Sequence, residues 1–323
     1  MNSTNGERAE KTPAVSIVIP TYKRDETLRR AIESALFQTY PNIEVIVVDD
    51  NPAGSPFREA AEKVCAEFQA DPRLRIVKNE RNLGGALTRN AGILASKSEY
   101  IAFLDDDDEY YPERIAHQLP VFLNSKNEKL ALVFCDAEMT VGRDVFMCFS
   151  EPRYRGCCLY EAMRDNCLAA TSQWMAKKSA LISVGMFSDV PSKQDSTLIL
   201  KLLAAGYEVD HVPEVLSKYC FYEGPKISEG GPKNLRGELL YYKRCRRLFD
   251  RLSGEEQRQV RYSFAEIFYK LCSANGEKEK ADAAMRYMMR TQPARTVRSL
   301  ARNAARKARW TLFPNGLPGS TRR

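Results

Sequence analysis

The stretch Tyr100–Asp108 reads YIAFLDDDD, an apolar run that ends abruptly in four carboxylates. Its first five residues are typical of a buried strand in a parallel sheet, so the aspartates fall at the carboxyl end of that strand. In open α/β sheets, ligands bind at this edge. Four adjacent carboxylates repel one another, and a divalent cation that also bridges to phosphates would neutralise them. The alternative interpretation is a solvated acidic turn.

Three shorter apolar runs precede this stretch, and a segment with helical spacing follows each of them. The predicted strands are 15–19, 43–48 and 74–77, and the predicted helices are 28–36, 57–68 and 87–95. Such alternation indicates a mostly parallel sheet covered by helices on both faces. Right-handed crossovers bring the ends of strands one, two and four to one edge. We therefore expect Thr21-Tyr22, Asp49-Asp50 and the aspartate run to converge there.

The rest of the chain is first irregular and then helical. We expect a helix from Pro112 to 123, a strand at 130–135, hairpins or a lid within 136–170, a strand at 174–176, a helix at 194–205 and a strand at 208–212. The Gly- and Pro-rich segment 223–232 predicts a loop or boundary, and helices are predicted at 235–252, 257–272 and 278–289. The expected organisation is a disordered N-terminus at 1–13, an α/β domain at 14–228, a helical extension at 229–290 and a basic amphipathic tail at 291–323.

Positive charge is concentrated in the tail. From Thr291 onward there are eight basic residues and no acidic ones, whereas the preceding part carries 41 basic and 42 acidic residues. On a helix, one face of the tail holds Arg295, Arg298, Arg302, Arg306 and Arg309, and another is rich in alanine. This pattern predicts a helix that lies on an anionic membrane surface, and the alternative is a helix packed on the α/β domain. Aromatic residues do not interleave with the arginines, so no nucleic-acid partner is expected.

Composition also indicates the cellular compartment of the protein. No segment approaches 18 uninterrupted apolar residues, and residues 1–12 lack the apolar core of a signal peptide. The nine cysteines form no CxxC pair and there are only two histidines, so a zinc site is not expected. We therefore predict a cytoplasmic protein, peripheral at the inner face of the membrane if the tail binds there.

Several ordered motifs share the spacing of a known family. They are VSIVIPTY at 15–22, QTYPNIEVIVVDD at 38–50, NLGGA at 82–86, RNAGI at 89–93 and EYIAFLDDDD at 99–108. Together they resemble the family 2 glycosyltransferases, and VGMFS at 184–188 with Gln194-Asp195 resembles the segment that carries their catalytic base. The similarity covers about residues 14–228. It implies the GT-A fold, a nucleotide-sugar donor, Mg²⁺ or Mn²⁺ and inversion at the anomeric carbon.

The resemblance also implies a role for individual positions. Pro20, Thr21 and Tyr22 match the turn that packs against the nucleotide base and ribose, and Asp50 matches a carboxylate that binds a uracil-type ring. Asn82 and Arg89 match positions that face the nucleotide or its phosphates. In the DxD motif, Asp105 and Asp107 match metal-binding positions and Asp106 is directed toward the ribose. Asp195 matches the general base.

The chain departs from the family pattern at two positions. Gly185-Met186 stands where members often have Gly-Gly before Phe, and Tyr222 stands where many carry a histidine. The metal or phosphate contact of that histidine is therefore not transferred to this chain. The Gln-x-x-Arg-Trp motif of processive synthases is also absent from the sequence, which favours addition of one or a few sugars per acceptor.

The expected chemistry explains these residue types. A metal held by Asp107 stabilises the charge that develops on the leaving diphosphate. The acceptor hydroxyl needs a carboxylate base, for which Asp195 is the candidate, with a plain helix N-cap as the alternative. Arg89 also has a simpler interpretation, as a solvated helix residue.

The sequence thus predicts an inverting, metal-dependent glycosyltransferase. It would move a sugar from a nucleotide sugar to a hydroxyl of a glycan or lipid-linked acceptor, in surface glycan or lipid-linked oligosaccharide assembly. One alternative is a non-catalytic nucleotide-sugar-binding or scaffold protein, which would have no need of Asp195. A nucleotidyltransferase is a third, but Pro20-Thr21-Tyr22-Lys23 is not the glycine-rich basic loop expected after its first strand.

Overall fold

The computed structural model describes residues 12–141, 144–149, 154–165, 168–221 and 231–312. Of the predicted disordered N-terminus, residues 1–11 lie outside these ranges, as does Tyr222. The chain divides into two compact units, one up to Ile227 and the other from Ser228. Within the described ranges, no helix is both long and apolar enough to cross a membrane.

The first unit alternates strands and helices in its N-terminal half, as the apolar runs predict. This half contains β1 (Val15–Thr21), α1 (Glu26–Leu36), β2 (Ile43–Asp49), α2 (Pro56–Ala66), β3 (Leu74–Lys78), α3 (Gly85–Ala95) and β4 (Tyr100–Phe103). Local sequence fixes where the helices begin. Asp25 caps α1, as its sequence position suggests, and the Ser55 side chain accepts a hydrogen bond from the Arg58 N–H ahead of α2.

The second half of this unit adds shorter helices and antiparallel strands. It contains β5 (Asp108–Tyr110), α4 (Arg114–Leu123), β6 (Leu130–Val141), β7 (Asp144–Phe149), α5 (Leu159–Asp165), β8 (Trp174–Lys177), α6 (Lys178–Ser183), α7 (Gln194–Ala204) and β9 (Glu208–Phe221). A 3₁₀ turn at Thr171–Gln173 precedes β8. The β6–β7 hairpin lies in the segment for which a hairpin or lid is predicted.

The nine strands of the described ranges form one sheet. Its order is β3-β2-β1-β4-β8-β6-β9-β5, with β7 paired to β6. Strands β1 to β4 pair in parallel with one another, as predicted, and β6 is parallel to β9. The β4–β8, β8–β6 and β9–β5 pairs are antiparallel. The α/β class is confirmed, and the sheet is mixed beyond β4.

Helices cover both faces of the parallel half. Val15, Ile17 and Ile19 of β1 join a buried cluster with residues of α1, α2 and α4. The alternate residue, Val18, faces α3, where a Cβ built on Gly92 would lie 2.3 Å from Val18 Cγ1. A glycine at this position therefore permits the close approach of α3 to the sheet.

Strand β6 runs to Val141 rather than ending at 135, and two further features differ from the prediction. Strand β9 continues to Phe221 rather than ending at 212, because its second half pairs with both β6 and β5. Strand β5 was not anticipated, since it overlaps the aspartate run and exists only through its pairing with β9. Neither feature has a local signal, because non-local partners supply the hydrogen bonds.

The second unit is helical throughout its described residues. It contains α8 (Pro232–Arg246), α9 (Gly254–Ala274), α10 (Lys278–Thr291) and α11 (Pro293–Leu312). A capping box formed by Ser253 and Glu256 starts α9. The helices pack through small clusters of buried and half-buried side chains such as Tyr262, Ala265 and Met288.

Helix α11 packs on α9 through polar side chains. Thr296 is fully buried, and its hydroxyl lies 3.0 Å from that of Tyr262. Arg295 stacks over the ring of Tyr262, with 4.3 Å between guanidinium carbon and ring centroid. The predicted single face of arginines is therefore divided, because Arg295 turns toward α9 while Arg298 is exposed. Side chains beyond residue 302 are outside the description.

Candidate active site

The segments that follow β1, β2 and β4 meet at one edge of the sheet. The Tyr22 N–H donates to the Asp106 carboxylate over 3.2 Å, and the Asp50 N–H donates to the Thr21 carbonyl over 2.9 Å. Direct hydrogen bonds thus join segments that are 84 positions apart in sequence. These bonds confirm the predicted convergence of the three strand ends.

Arginine side chains neutralise part of the aspartate run. Arg89 of α3 donates to the Asp105 carboxylate, and Arg24 Nη2 lies 3.1 Å from Asp107 Oδ2. Burial and the neighbouring charge of Asp107 raise the pKa of Asp106 to about 7. Burial and the charge of Asp105 also raise the pKa of Asp107. The run is therefore a concentrated negative charge that its surroundings only partly offset.

The fourth aspartate is buried, so the run is not a solvated turn. Burial and the charges of Asp105 and Asp107 raise the pKa of Asp108 well above its ordinary value. None of the four side chains is fully exposed. The alternative interpretation as a plain acidic turn is wrong for this reason.

A buried 3₁₀ turn, Thr171–Gln173, supports the aspartate run through a hydrogen bond. The Ser172 hydroxyl accepts a hydrogen bond from the Asp105 N–H over 3.1 Å. The fully buried Arg114 holds this turn, because its Nη1 donates to the Ser172 carbonyl over 2.6 Å and its Nη2 to the Trp174 carbonyl over 2.9 Å. Arg114 also stacks on Tyr110, with 3.6 Å between guanidinium carbon and ring centroid. No local sequence feature predicts this support, since an arginine at the start of a helix is usually exposed to solvent.

Asp50 anchors the turn that leads into α3. One carboxylate oxygen accepts from Asn79 Nδ2 and the Leu83 N–H, each over 2.8 Å, and the other accepts from the Gly84 N–H over 2.9 Å. Asn82 Nδ2 lies 3.4 Å from the Asp50 carbonyl and its side chain is exposed. Asp50 is therefore a positioning residue for this turn, whether or not a nucleobase also reaches it.

The preceding aspartate has a structural role. Asp49 is buried, accepts from the Asn51 N–H over 2.9 Å and pairs with Arg58 Nε over 3.0 Å. Burial raises the pKa of Asp49. Arg58 also donates to the Asn79 carbonyl over 2.7 Å, so it joins the ends of β2 and β3.

The three residues predicted to bind the base, Pro20, Thr21 and Tyr22, differ in exposure. Pro20 and Thr21 are buried in the sheet, whereas Tyr22 is 41% exposed. Lys23 follows with φ of +58°, an unusual value for a non-glycine residue, and its N–H donates to Asn51 Oδ1 over 2.9 Å. Tyr22 is thus the member of the predicted base-binding turn that faces solvent.

Asp195 lies in the first turn of α7, beside the start of α3. The N-cap of α7 is Lys193, with φ of +65°, so Asp195 is not the N-cap. Its carboxylate accepts from the Ser196 N–H over 2.7 Å. The side chain of Gln194 approaches Gly85, and Asp195 interacts electrostatically with Arg89. The candidate base is therefore close to the aspartate run through Arg89.

The segment before α7 is fixed to α3 by an amide side chain. Asn90 Oδ1 accepts from the Phe187 N–H and its Nδ2 donates to the Phe187 carbonyl, both over 2.9 Å. Phe187 is buried and lies under Arg89, with 5.7 Å between guanidinium carbon and ring centroid. Met186 has φ of +51°, a left-handed conformation that glycine adopts without strain.

The carboxylates at this edge fit a divalent cation that is held jointly by the protein and by the phosphates of a nucleotide. In the part of the chain that the structure describes, no group of three or more His, Cys, Asp or Glu side chains is arranged to hold a metal ion. Mg²⁺ bound with substrate phosphates needs only one or two protein carboxylates. Asp105 and Asp107 supply such oxygens where negative charge is concentrated.

The chain is similar to known proteins in sequence and in fold. Residues 16–137 match the family model described as glycosyl transferase family 2. The glycosyl transferase WcaA of Escherichia coli, which is named for colanic acid biosynthesis, is 27% identical over 255 residues. That alignment covers 77% of this chain and 87% of the relative.

Solved structures share the fold. TarS of S. aureus in complex with UDP-GlcNAc matches with a TM-score of 0.56 and 15% identity, over 86% of this chain and 89% of that one. The mannosyltransferase PcManGT of Pyrobaculum calidifontis, in complex with GDP-Man and Mn²⁺, matches with a TM-score of 0.57 and 19% identity. The match covers 91% of this chain and 80% of that one.

The mixed sheet, its covering helices and these structural neighbours show the GT-A fold. Residues 16–137 carry a glycosyl transferase family 2 domain, and the chain is a transferase enzyme.

Proposed function

We propose that the protein is an inverting, metal-dependent glycosyltransferase that takes its sugar from a nucleoside-diphosphate sugar. One observation carries this proposal: Arg89, which donates to Asp105, also interacts electrostatically with Asp195. A binding or scaffold protein would need no carboxylate beside the donor-binding residues, so we favour catalysis. The solved neighbours with UDP-GlcNAc and GDP-Man support a nucleotide-sugar donor.

Each part of the site has a proposed task. Asp105 and Asp107 would hold Mg²⁺ or Mn²⁺, which when bound supplies positive charge to the leaving diphosphate. Arg89 orients Asp105 and adds a fixed positive charge beside it. Tyr22 offers an exposed ring to the base, Asn82 faces the nucleotide, and Asp106 is directed toward the ribose.

Asp195 would take the proton of the acceptor hydroxyl. The carboxylate is half-buried at the start of a helix, where the free N–H groups stabilise negative charge. Since Ser196 already donates to one of its oxygens, the base is held in a fixed orientation. Attack by the activated hydroxyl on the face opposite the diphosphate inverts the anomeric carbon.

The acceptor proposal rests on the relatives. WcaA is named for colanic acid biosynthesis, so we propose a surface glycan or a lipid-linked oligosaccharide as the acceptor. Such an acceptor would place the enzyme at the cytoplasmic face of a membrane.

A calorimetric titration of Asp107→Asn with UDP and GDP, with and without Mn²⁺, tests the donor site. The neutral amide cannot offset the charge of the cation, so we expect the Mn²⁺-dependent gain in nucleotide affinity to disappear. Glu109→Gln is the matched control, because Glu109 follows the run and lies 3.6 Å from Arg30. Retention of the full Mn²⁺-dependent gain in Asp107→Asn would remove Asp107 from the metal site.

Membrane attachment through α11 is a second proposal. Arg298, Ala301 and Arg302 are exposed, and Val297 is 56% exposed on the side away from the Thr296 contact. An outward face with apolar and basic residues suits the surface of an anionic bilayer.

A further inference from the structure

Arg24 lies against one of the two predicted metal-binding carboxylates. Its Nη2 is 3.1 Å from Asp107 Oδ2, and its Nε is 3.9 Å from Asp106 Oδ1. The guanidinium is therefore a positive charge at an oxygen that a divalent cation would use. The family motifs give this residue no role.

The backbone around Arg24 is held while the side chain extends from it. The Tyr22 N–H donates to Asp106 and the Lys23 N–H to Asn51, and Asp25 caps α1 directly afterwards. The Arg24 side chain is 44% exposed. A guanidinium on a long, half-exposed side chain can leave one anionic partner for another without moving the backbone.

Arg89 provides a contrast. Its side chain is only 12% exposed, is bonded to Asp105 and lies over the Phe187 ring. It is enclosed by the site, whereas Arg24 approaches Asp107 from the solvent side. Of these two cations, Arg24 is the one that can be displaced.

We propose that the Arg24 guanidinium and the divalent cation exchange at Asp107, and that the displaced guanidinium pairs with the diphosphate of the donor. This inference rests on the proposed metal-dependent function and adds a positioning residue to it. Before the donor arrives, Arg24 neutralises the carboxylates that repel one another. When cation and nucleotide bind together, Arg24 gains a phosphate partner in exchange for Asp107.

The exchange couples the two ligands. Without nucleotide, Mn²⁺ must displace Arg24 from Asp107, which weakens Mn²⁺ binding. With nucleotide bound, the guanidinium can pair with the diphosphate instead, so it competes less with Mn²⁺ for Asp107. By linkage, Mn²⁺ and nucleotide raise each other's affinity by the same factor, and Arg24 increases that factor.

Titration calorimetry of the full chain measures this coupling. Mn²⁺ is titrated alone and then with saturating UDP or GDP, whichever binds the wild type more tightly. Arg24→Gln should raise the Mn²⁺ affinity of the nucleotide-free protein by about threefold or more, the range set by an exposed ion pair. It should also reduce the factor by which nucleotide raises Mn²⁺ affinity. Arg24→Lys keeps the charge and should restore most of both effects.

Arg30→Gln separates direct exchange from a general loss of positive charge. Arg30 is exposed to a similar extent, 42%, but lies 3.6 Å from Glu109 rather than beside Asp107. We expect it to change Mn²⁺ affinity by less than about twofold. Thermal unfolding of each variant shows that it is folded.

The outcomes distinguish this inference from the proposed function. If Asp107→Asn loses Mn²⁺ binding but Arg24→Gln matches wild type, the exchange is refuted and the metal site stands. Equal effects of Arg24→Gln and Arg30→Gln would also refute it. If the wild type binds no Mn²⁺ with or without nucleotide, both the exchange and the metal-dependent function fall.

Discussion

Asp195 has an observed structural contact and a proposed chemical role. The contact with the Ser196 N–H requires only an acceptor oxygen, which an amide also has. Removing a proton from a hydroxyl requires a carboxylate. The substitution Asp195→Asn therefore separates the two roles.

We expect Asp195→Asn to bind UDP or GDP as the wild type does and to lose transfer by about 10²–10⁴-fold, the usual contribution of a general base. Nucleotide affinity is measured by calorimetry, and transfer by release of the nucleoside diphosphate in the presence of acceptor. Asp189→Asn is the control, because Asp189 is an exposed acid in the segment before α7. Transfer by Asp195→Asn at the rate of Asp189→Asn would exclude Asp195 as the base.

Met186 tests a departure from the family pattern. Its φ of +51° is a left-handed conformation that glycine adopts without strain and a β-branched residue adopts poorly. We expect Met186→Val to lower the free energy of unfolding by about 1–2 kcal/mol and Met186→Gly to change it by less than about 1 kcal/mol. Urea unfolding of both variants gives the comparison. Equal destabilisation by the two substitutions would show that the Met186 side chain, rather than its backbone, stabilises this turn.

At the scale of elements, Gly92 determines how closely α3 approaches the sheet. A Cβ at this position would lie 2.3 Å from Val18 Cγ1 and 3.1 Å from Val48 Cγ2, so the strands or the helix must shift. We expect Gly92→Ala to reduce the free energy of unfolding by about 1–3 kcal/mol, despite the better helix propensity of alanine. Leu94→Ala, on the exposed side of the same helix, is the control and should have a small effect. A neutral Gly92→Ala would mean that α3 can move outward without loss.

The 3₁₀ turn behind the aspartate run depends on Arg114. A methionine there would fill similar space but lose the hydrogen bonds to the Ser172 and Trp174 carbonyls, although the Ser217 hydroxyl would still donate to the Ser172 carbonyl. Each hydrogen bond from a charged group contributes about 1.5–3 kcal/mol, so we expect Arg114→Met to be destabilised by about 3 kcal/mol or more. Since Ser172 positions the Asp105 N–H, Mn²⁺-dependent nucleotide binding should weaken as well. Chemical unfolding and calorimetry measure the two effects, and wild-type values in both would show that the turn holds itself.

At the scale of the whole molecule, the features that could be predicted are those with a local sequence signal. The parallel strands β1 to β4 and their helices were predictable, because each carries its own apolar period and ends in a turn or acidic signal. The convergence of Thr21, Asp50 and Asp106 followed from crossover handedness alone. The aspartate run was predicted to be a site because it directly follows a buried strand, at the carboxyl end of that strand.

The features that could not be predicted depend on distant partners. Strand β5 pairs with the second half of β9, which also pairs with β6. Arg114 is buried because two carbonyls 58 and 60 positions away accept its hydrogen bonds. Arg24 likewise meets Asp107 across 83 positions, and nothing in its neighbourhood announces that contact. Sequence period shows which face of an element is apolar, but it does not show which polar groups will be its partners.

In the second unit, the contacts of α11 with α9 were likewise not predictable from the sequence. They determine how membrane attachment can be tested. Removing residues 291–323 would also remove Thr296 and Arg295, which pack on α9, so a truncated chain would confuse folding with binding. Substituting the exposed Arg298 and Arg302 avoids that problem, because neither is buried.

We expect the double variant Arg298→Gln/Arg302→Gln to bind anionic vesicles at least about tenfold more weakly than wild type, since each basic residue near an anionic leaflet contributes about 1 kcal/mol. Co-sedimentation with phosphatidylglycerol vesicles at low salt measures the difference, which should shrink as added salt screens the charges. Arg286→Gln/Arg290→Gln is the matched control, because it removes the same charge from exposed positions on α10. If both double variants lose binding equally, net charge rather than the outward face of α11 attracts the membrane. If neither loses binding, α11 serves only to complete the helical packing through Thr296 and Arg295.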